Sequence, residues 1–287
     1  MPETLDVASG LISGVIEFSA VDGPGNRFVV FTQGCNLNCV ACHNPYTINP
    51  CIDCGLCVDT CPSGTLGLDA SGHITWDAGV CDGTDVCIAT CPYDSTPKAR
   101  TTAVADLLGR IRRAAPFLSG VTVSGGEATQ QAAFVRDLFA AVKAELPGLT
   151  CFVDTNGAAP TSTWDLLDPV MDAAMVDLKC FDDAVHRRLT GTSNAEVLAS
   201  IRLLAGRGKL HEVRLLLVPG QNDSDALLER TGAWLASVDP RMRLKVIGFR
   251  HHGVRPSPIA LAEPSAEQRE HYADVLRAVS DFEIVVV

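Results

Sequence analysis

Three closely spaced cysteines are the residues of this sequence best suited to chemistry. Cys35, Cys39 and Cys42 are separated by three and two residues, and they follow an apolar run at residues 28–31. Three thiolates can hold three corners of a cubane iron–sulfur cluster, whereas an electron-transfer cluster is closed by four cysteines. The iron at the fourth corner is then open to a small molecule. The spacing therefore predicts a cluster that takes part in catalysis.

Two other interpretations of this segment are open. Cys39, Cys42 and His43 form a C-x-x-C-H sequence of the kind that attaches c-type haem. Haem attachment belongs to exported proteins, and residues 1–20 contain no Lys or Arg, so they do not resemble a signal peptide. A structural zinc site would need a fourth ligand, with His43 as the candidate. The triple spacing favours the open cluster over both.

A second group of cysteines follows in residues 50–97. The run C-x2-C-x2-C-x3-C-P of bacterial ferredoxins begins at Cys51, and it repeats imperfectly from Cys81 with Thr84 in place of a cysteine. In two-cluster ferredoxins the fourth cysteine of each run serves the other cluster. On that rule, one cluster is closed by Cys51, Cys54, Cys57 and Cys91, and the other is held by Cys61, Cys81 and Cys87.

Thr84 leaves the second of these clusters one cysteine short. We expect either a 3Fe–4S cluster or a 4Fe–4S cluster completed by another ligand, with Asp82 and Asp85 as the nearest candidates. Zinc is the alternative for the paired runs, but the proline after each last cysteine is typical of ferredoxin ligation.

Composition narrows the class of protein further. The 287 residues suffice for one large α/β domain with an insertion, or for two domains. The formal net charge of -11 argues against a nucleic-acid partner, and no apolar run approaches the ~20 residues that span a membrane. Ten of the twelve cysteines lie between Cys35 and Cys91, which indicates metal ligands in a reducing, oxygen-poor cytoplasm. Cys151 and Cys180 are expected to be buried, inert thiols.

Alternating strands and helices are predicted around and after the inserted segment. Strands are expected at residues 28–31, 121–123, 150–153, 173–176, 212–218, 244–249 and 282–287. Helices are expected at residues 101–118, 130–145, 163–168, 194–206, 224–236 and 266–279. This alternation indicates an α/β fold with a parallel sheet, and six strands before the last one suit a partial (β/α)6 barrel.

Polar residues follow several of these strands, at the end where such barrels gather their chemistry. Glu127, after two glycines, can accept hydrogen bonds from an ammonium group, although a plain turn is the simpler interpretation. Asp154 begins a D-T-N-G sequence suited to ribose hydroxyls or a small cation. Asp177 and Lys179 cap the next strand, where a surface ion pair is the alternative. The planar fork of Arg214 suits a carboxylate.

Taken together, these motifs resemble a known family. The Cys35–Cys39–Cys42 spacing resembles the signature of radical S-adenosylmethionine (SAM) enzymes. Residues 19–27, with their D-G-P-G turn, and the H-N-P sequence at residues 43–45 resemble the glycyl-radical-enzyme activating enzymes in particular. The whole pattern most resembles their YjjW-type subgroup. The resemblance implies a TIM-like partial barrel formed by residues 1–49 and 98–287, interrupted by a two-cluster ferredoxin-like domain at residues 50–97.

The resemblance also implies an activity. Such an enzyme cleaves SAM reductively to a 5′-deoxyadenosyl radical, which takes a hydrogen atom from a glycine of a partner glycyl radical enzyme. The inserted domain would relay electrons from a flavodoxin- or ferredoxin-type donor, or dock the partner. A radical SAM enzyme acting on a small molecule and a pure electron-transfer protein are the alternatives; neither accounts for all of the motifs.

Individual roles follow from the same resemblance. The SAM contacts it implies are Ala41, His43, Asn44, Gly125, Gly126, Glu127, Asp154, Asn156, Asp177, Lys179, Arg214 and His251. Glu127 would contact the amino group of SAM and Arg214 its carboxylate. A monovalent cation site is implied at Asp154, Thr155, Met175 and Asp177. In strict alignment the adenosine contact falls on Arg250, with His251 or His252 as shifted alternatives.

Overall fold

The computed structural model of this protein describes residues 8–287. Residues 1–7, the start of the predicted first barrel segment, lie outside the described residues. In chain order the strands are β1 (Ser9–Ser19), β2 (Arg27–Thr32), β3 (Leu66–Leu68), β4 (Ile74–Trp76), β5 (Arg100–Ala103), β6 (Gly120–Gly125), β7 (Thr150–Thr155), β8 (Ala173–Asp177), β9 (Leu210–Leu217), β10 (Arg243–Gly248) and β11 (Glu283–Val286). The α-helices are α1 (Val86–Thr90), α2 (Val104–Ala114), α3 (Ala132–Glu145), α4 (Thr161–Leu167), α5 (Asp183–Thr190), α6 (Ala195–Gly206), α7 (Asp225–Val238) and α8 (Ala266–Arg277).

Parallel strands form most of the main sheet. Its order is β11-β10-β9-β8-β7-β6-β2-β1-β5, and all pairs from β2 to β11 are parallel. Sheet order follows chain order along this series, with a crossover connection between each pair of neighbours up to β11. The predicted α/β fold with a mostly parallel sheet is therefore confirmed. Its consequence is that the carboxyl ends of these strands meet at one edge, where a site can form.

The core lies between the sheet and its helices. Val121 and Val123 of β6 are fully buried, as is Val153 of β7. Leu138 of α3 and Trp164 of α4 belong to the same apolar cluster. Strands covered on their faces by helices read as short apolar runs, which is why the sequence shows them so clearly.

The antiparallel edge of the sheet differs from the prediction. The predicted lead-in at residues 1–26 contains β1, which pairs antiparallel with β2. The predicted helix at residues 101–118 begins only at Val104, because the preceding residues form β5 and pair with β1 at Leu11 and Thr101. The sequence did not predict β1 or β5. Each of these strands is stabilised by pairing with the other, which lies about ninety residues away in the chain. Helix α5 was also missed.

The D-G-P-G turn lies at the amino end of β2, whereas Cys35 follows the carboxyl end. Gly23 and Gly25 adopt φ values of +123° and +73°, which favour glycine. Arg27 is completely buried behind the turn and donates to the Thr122 hydroxyl (2.7 Å), among other acceptors. These contacts give the turn and its arginine a structural role.

Residues 50–97 are built differently from the sheet. Strands β3 and β4 form a separate antiparallel hairpin, and α1 is one short helix. The buried core of this segment consists of Cys57, Leu66 and Cys87. Within residues 8–287, no helix has both the length and the apolar character needed to cross a membrane.

Candidate active site

A cavity of about 300 Å³ opens at the carboxyl ends of the parallel strands. Its size lies at the lower end of the range of small-molecule sites. Most residues that the sequence singled out line it: Cys35, Cys39, Ala41, Cys42, His43, Asn44, Gly125, Gly126, Glu127, Asp154, Thr155, Asn156, Asp177, Lys179 and Arg214. The structure thus brings residues from five separate segments together, and their roles as ligands stay predictions.

Backbone hydrogen bonds from two sides hold the loop that carries the three cysteines. Cys35 N donates to the Ile48 carbonyl (2.9 Å). Asn38 N and Val40 N donate to the carbonyls of Thr190 and Leu189, both at 2.9 Å, at the carboxyl end of α5. Helix α5 therefore fixes the positions between the cysteines. Sequence reasoning could not find this contact, because carbonyl groups leave no residue-specific signal.

Burial makes the free thiols of this loop hard to ionise. Desolvation raises the pKa of Cys35 to about 12 and that of Cys39 to about 11, and it also raises the pKa of Cys42. Lys179 opposes this effect on Cys39 and Cys42. Thiolates need positive charge nearby to form, and metal ligation supplies it. Three thiols that line one cavity together with Lys179 fit an iron–sulfur cluster.

Arg255 links the same loop to Asp94, near the end of residues 50–97. Its guanidinium contacts the Asn38 side chain and donates to the Cys39 carbonyl (3.3 Å). The other side of the fork pairs with Asp94. Asp94 lies three residues after Cys91, and its backbone carbonyl accepts a hydrogen bond from Asn49 N (3.1 Å). This link joins three segments, and no sequence motif indicated it.

Glu127 is almost fully buried, at 1% exposure, and four protein donors surround its carboxylate. One oxygen accepts from Thr129 N (2.9 Å), the Thr129 hydroxyl (2.7 Å) and the Thr155 hydroxyl (2.7 Å). The other accepts from Asn156 N (2.7 Å). Burial raises the pKa of Glu127, and these hydrogen bonds lower it by a smaller amount. The structure gives Glu127 a positioning role: it holds the end of β7 against the turn after β6.

The two glycines before Glu127 are required by close backbone packing. A Cβ on Gly125, whose φ is +120°, would lie 2.2 Å from Thr32 N. One on Gly126 would lie 2.3 Å from the Gly34 carbonyl oxygen. These contacts are with the strand and loop that lead into Cys35. Both glycines also line the cavity, and the SAM contact implied for them stays a prediction.

Arg214 stands between two acidic side chains. It donates to Asp154 (2.9 Å) and to Glu212 (2.7 Å), and Asp154 also accepts from the Ser124 hydroxyl (3.0 Å). Burial raises the pKa of Asp154, and Arg214 offsets this only in part. Glu212 is 5% exposed and was missed, because a lone Glu inside a strand carries no motif. It orients the guanidinium towards the cavity.

Lys179 pairs with Asp177 at 2.6 Å at the carboxyl end of β8, the strand next to the one that carries Arg214. Burial opposes ionisation of Asp177, but Lys179 and then Arg214 outweigh it and lower the pKa of the carboxyl. Asn222 donates to the Lys179 carbonyl (2.8 Å) and fixes the backbone there. Of the proposed cation ligands, Met175 is fully buried and is not among the cavity-lining residues, while both carboxylates are already paired with cationic side chains. The cation site stays a prediction.

The predicted adenosine contact stays a prediction. Neither Arg250, His251 nor His252 is among the described residues that line the cavity. His43, which does line it, lies 2.9 Å from the Arg250 carbonyl through Nε2 and stacks on Phe249 with ring centroids 6.1 Å apart. Since a carbonyl only accepts, Nε2 carries the proton.

The seven cysteines of residues 50–97 are divided between two smaller cavities. Cys51, Cys54, Cys57 and Cys91 line one cavity. The other is lined by Cys61, Cys81 and Cys87 together with Asp82, Thr84, Asp85 and Lys98. Trp76 lines the second cavity, and its buried indole N–H has no hydrogen-bond partner among the described residues. An unpartnered donor among three thiols fits a site that would hold sulfide.

Comparison with known proteins agrees with this architecture. Residues 29–230 match the model of the radical SAM superfamily. The indoleacetate decarboxylase activating enzyme of Tractidigestivibacter scatoligenes is 28% identical over 299 residues, which cover 93% of this chain and 94% of that protein. The pyruvate formate-lyase 1-activating enzyme of Escherichia coli (strain K12) is 30% identical and covers 85% of this chain and 82% of its own.

Among solved structures, QueE from Escherichia coli superposes with a TM-score of 0.53 at 13% identity, over 97% of this chain and 94% of that one. At this identity the likeness concerns the fold alone. The sequence match over most of the chain decides the class: this chain belongs to the radical SAM superfamily. Membership implies an enzyme with a 4Fe–4S cluster that uses SAM.

Proposed function

We propose that this protein is a glycyl-radical-enzyme activating enzyme. Similar proteins covering most of its length are named as activating enzymes of pyruvate formate-lyase and of indoleacetate decarboxylase. The observation that carries the proposal is the convergence of three thiols, Lys179 and Arg214 on one cavity in a chain of this superfamily. The protein substrate is then a glycyl radical enzyme, and a radical SAM reaction on a small molecule is less favoured.

The cluster and SAM, when bound, would supply the difficult chemistry: a one-electron cleavage of SAM to methionine and a 5′-deoxyadenosyl radical able to take a hydrogen atom from a partner glycine. The protein binds and orients. Cys35, Cys39 and Cys42 would hold the cluster, and Arg214 with Lys179 would neutralise the SAM carboxylate and the anionic cluster. Glu127 and Glu212 keep these groups in place, as described above. No side chain has to transfer a proton.

The inserted segment would act as a two-cluster, ferredoxin-like domain, in the manner of the YjjW-type subgroup. The separation of its cysteines into two cavities supports the assignment of Cys51, Cys54, Cys57 and Cys91 to one 4Fe–4S cluster. Cys61, Cys81 and Cys87 would hold the other, with Asp82 as the better candidate for a fourth ligand, because Lys98 engages Asp85 at 2.5 Å. Such a domain would relay electrons to the site cluster.

The test is SAM cleavage by anaerobically reconstituted protein. With dithionite and SAM, we expect 5′-deoxyadenosine from the wild type and none from Cys39→Ala. Cys151→Ala, which removes a buried cysteine far from the cavity, should keep the activity and serves as the matched control. A wild type with full iron content and no product would contradict the proposal. Glycyl-radical electron paramagnetic resonance (EPR) with purified partner proteins would then distinguish an activating enzyme from a small-molecule enzyme.

A further inference from the structure

The surface around Cys54 is apolar and exposed. The side chains of Ile52 and Leu56, on either side of it, are 60% and 54% exposed, and Cys54 is itself exposed. Leu68 of β3 is 54% exposed and adjoins the same loop, since a Cβ on Gly55 would lie 3.6 Å from its Cδ1. Single exposed apolar residues are ordinary, but contiguous ones mark interaction sites. We refer to Ile52, Cys54, Leu56 and Leu68 as the Cys54 patch.

Exposed apolar side chains are concentrated in this part of the protein. Of the ten most exposed large apolar side chains in residues 8–287, five lie in residues 50–97: Ile52, Leu56, Leu68, Val80 and Tyr93. That segment is only about a sixth of the chain. Three of the five belong to the Cys54 patch. Exposed apolar side chains do not stabilise the core, so their concentration in this segment indicates an interaction surface.

The charge of the segment is uniformly negative. Residues 50–97 contain seven Asp and no Glu, Lys or Arg, so they carry -7 of the formal net charge of -11. Asp53 lies within the patch loop, where it pairs with His73 at 3.0 Å. The next basic residue, Lys98, is engaged with Asp85 beside the other cavity. A partner that docks on the patch must therefore present positive charge around an apolar centre.

The patch also lies directly over a proposed cluster. Ile52 and Leu56 line the same cavity as Cys51, Cys57 and Cys91. A redox protein seated there would have its cofactor edge next to that cluster. We propose that the Cys54 patch is the electron-entry surface of this enzyme, and that it docks a redox protein whose apolar contact face is ringed by Lys and Arg. This rests on the proposed relay by residues 50–97. Like-charge repulsion disfavours donors with an acidic contact face.

Electron exchange with a basic redox protein tests the surface. Cytochrome c, a basic haem protein, is the probe: the pre-reduced enzyme gives one electron to each ferric haem, and stopped-flow absorbance follows its reduction. We expect the wild-type rate to fall by about tenfold or more as salt is raised, because attraction between opposite charges is screened. Asp59 is an exposed residue three positions after Leu56 of the patch. At low salt, Leu68→Ser and Asp59→Lys should each slow the reaction by about threefold or more.

Matched controls separate the patch from general effects. Val80→Ser changes a similarly exposed apolar side chain beside Cys81, and Asp281→Lys makes the same charge change at an exposed residue just before β11 of the main sheet. Both should keep the wild-type rate within about twofold. A rate indifferent to salt and to Leu68→Ser, or one slowed equally by Asp281→Lys, would overturn the inference. Failure of the proposed function looks different, because the wild type would then make no 5′-deoxyadenosine with dithionite, whatever its rate with cytochrome c.

Discussion

At the residue scale, the most consequential side chains divide into those whose place in the site a motif predicted and those whose contacts no motif predicted. Cys35, Lys179 and Arg214 were found from motifs, and all three line the cavity. Arg27 lies in the motif at residues 19–27, whereas Glu212 and Arg255 lie in none, and the contacts of these three residues were not predicted. Each of these three holds another functional or structural group in place. Positioning residues of this kind are identified by the atoms they touch, which spacing along the chain does not reveal.

Arg27 offers a direct test of a buried positioning residue. It is completely buried, its guanidinium donates to Thr122, Thr150 and Val121, and it lies 4.3 Å from the Phe152 ring centroid. Arg27→Met should cost about 3 kcal/mol or more of unfolding free energy, because it leaves buried acceptors without donors. Chemical denaturation measures this change. Arg112→Met, at a largely exposed arginine, should cost less than about 1 kcal/mol; equal costs would refute a special role for Arg27.

His186 makes stability depend on pH. It is completely buried, its Nε2 has no hydrogen-bond partner among the described residues, and burial lowers its pKa from the ordinary value of 6.5. The unfolded chain therefore binds a proton that the folded protein does not. Stability is lost as pH falls through 6.5 towards the lowered pKa.

His186→Asn should reduce this acid sensitivity by about 1 kcal/mol, measured as the difference in unfolding free energy between about pH 7.5 and about pH 5.5. The exposed His252→Asn is the control and should retain the wild-type dependence. Burial also lowers the pKa of His211, so part of the dependence should persist in the His186 variant. An unchanged pH dependence in His186→Asn would show that His186 is not responsible.

At the scale of elements, the cysteine loop is held by parts of the fold that are remote in sequence. Helix α5 binds two of its amides, and the segment after β10 contributes Arg255, which is 217 residues from Asn38. Asp94, near the end of residues 50–97, pairs with Arg255. The geometry of the loop is therefore set jointly by residues 50–97 and by segments that follow strands of the main sheet.

The Asp94–Arg255 pair should couple these elements measurably. In a double-mutant cycle of Asp94→Asn and Arg255→Met, we expect a coupling of about 1 kcal/mol in unfolding free energy, since neither side chain is fully exposed. The single variants should also lose site-cluster iron to a chelator faster than wild type. Arg241→Met, at an exposed arginine, should change neither quantity. Strict additivity with unchanged iron loss would argue against the link.

At the scale of the whole molecule, the main sheet with its helices and residues 50–97 depend on different sources of stability. A large apolar core lies between the sheet and its helices. The core of residues 50–97 is Cys57, Leu66 and Cys87, and two of these three are proposed ligands. Units of this size with so little core need metals or cross-links to stay folded. The clusters would then be the core of the insertion.

Iron removal should therefore affect the two parts unequally. After chelation, hydrogen exchange should increase strongly across residues 50–97, while the strands from β6 to β10 keep their protection. Holo protein under the same conditions is the control. Equal protection of residues 50–97 with and without iron would contradict both the clusters and the division of the chain at these residues.

The sequence by itself determined the parallel α/β sheet, because helix-covered strands must be short and apolar, and it determined which polar residues follow them. It also predicted which cysteines would ligate each of the three clusters. Only the tertiary structure decided the antiparallel edge of β1 and β5 and the positioning roles of Glu127, Glu212 and Arg255. The physical reason is that strand and motif signals are local, whereas pairing partners, buried charges and close backbone contacts depend on segments that meet only in the folded chain.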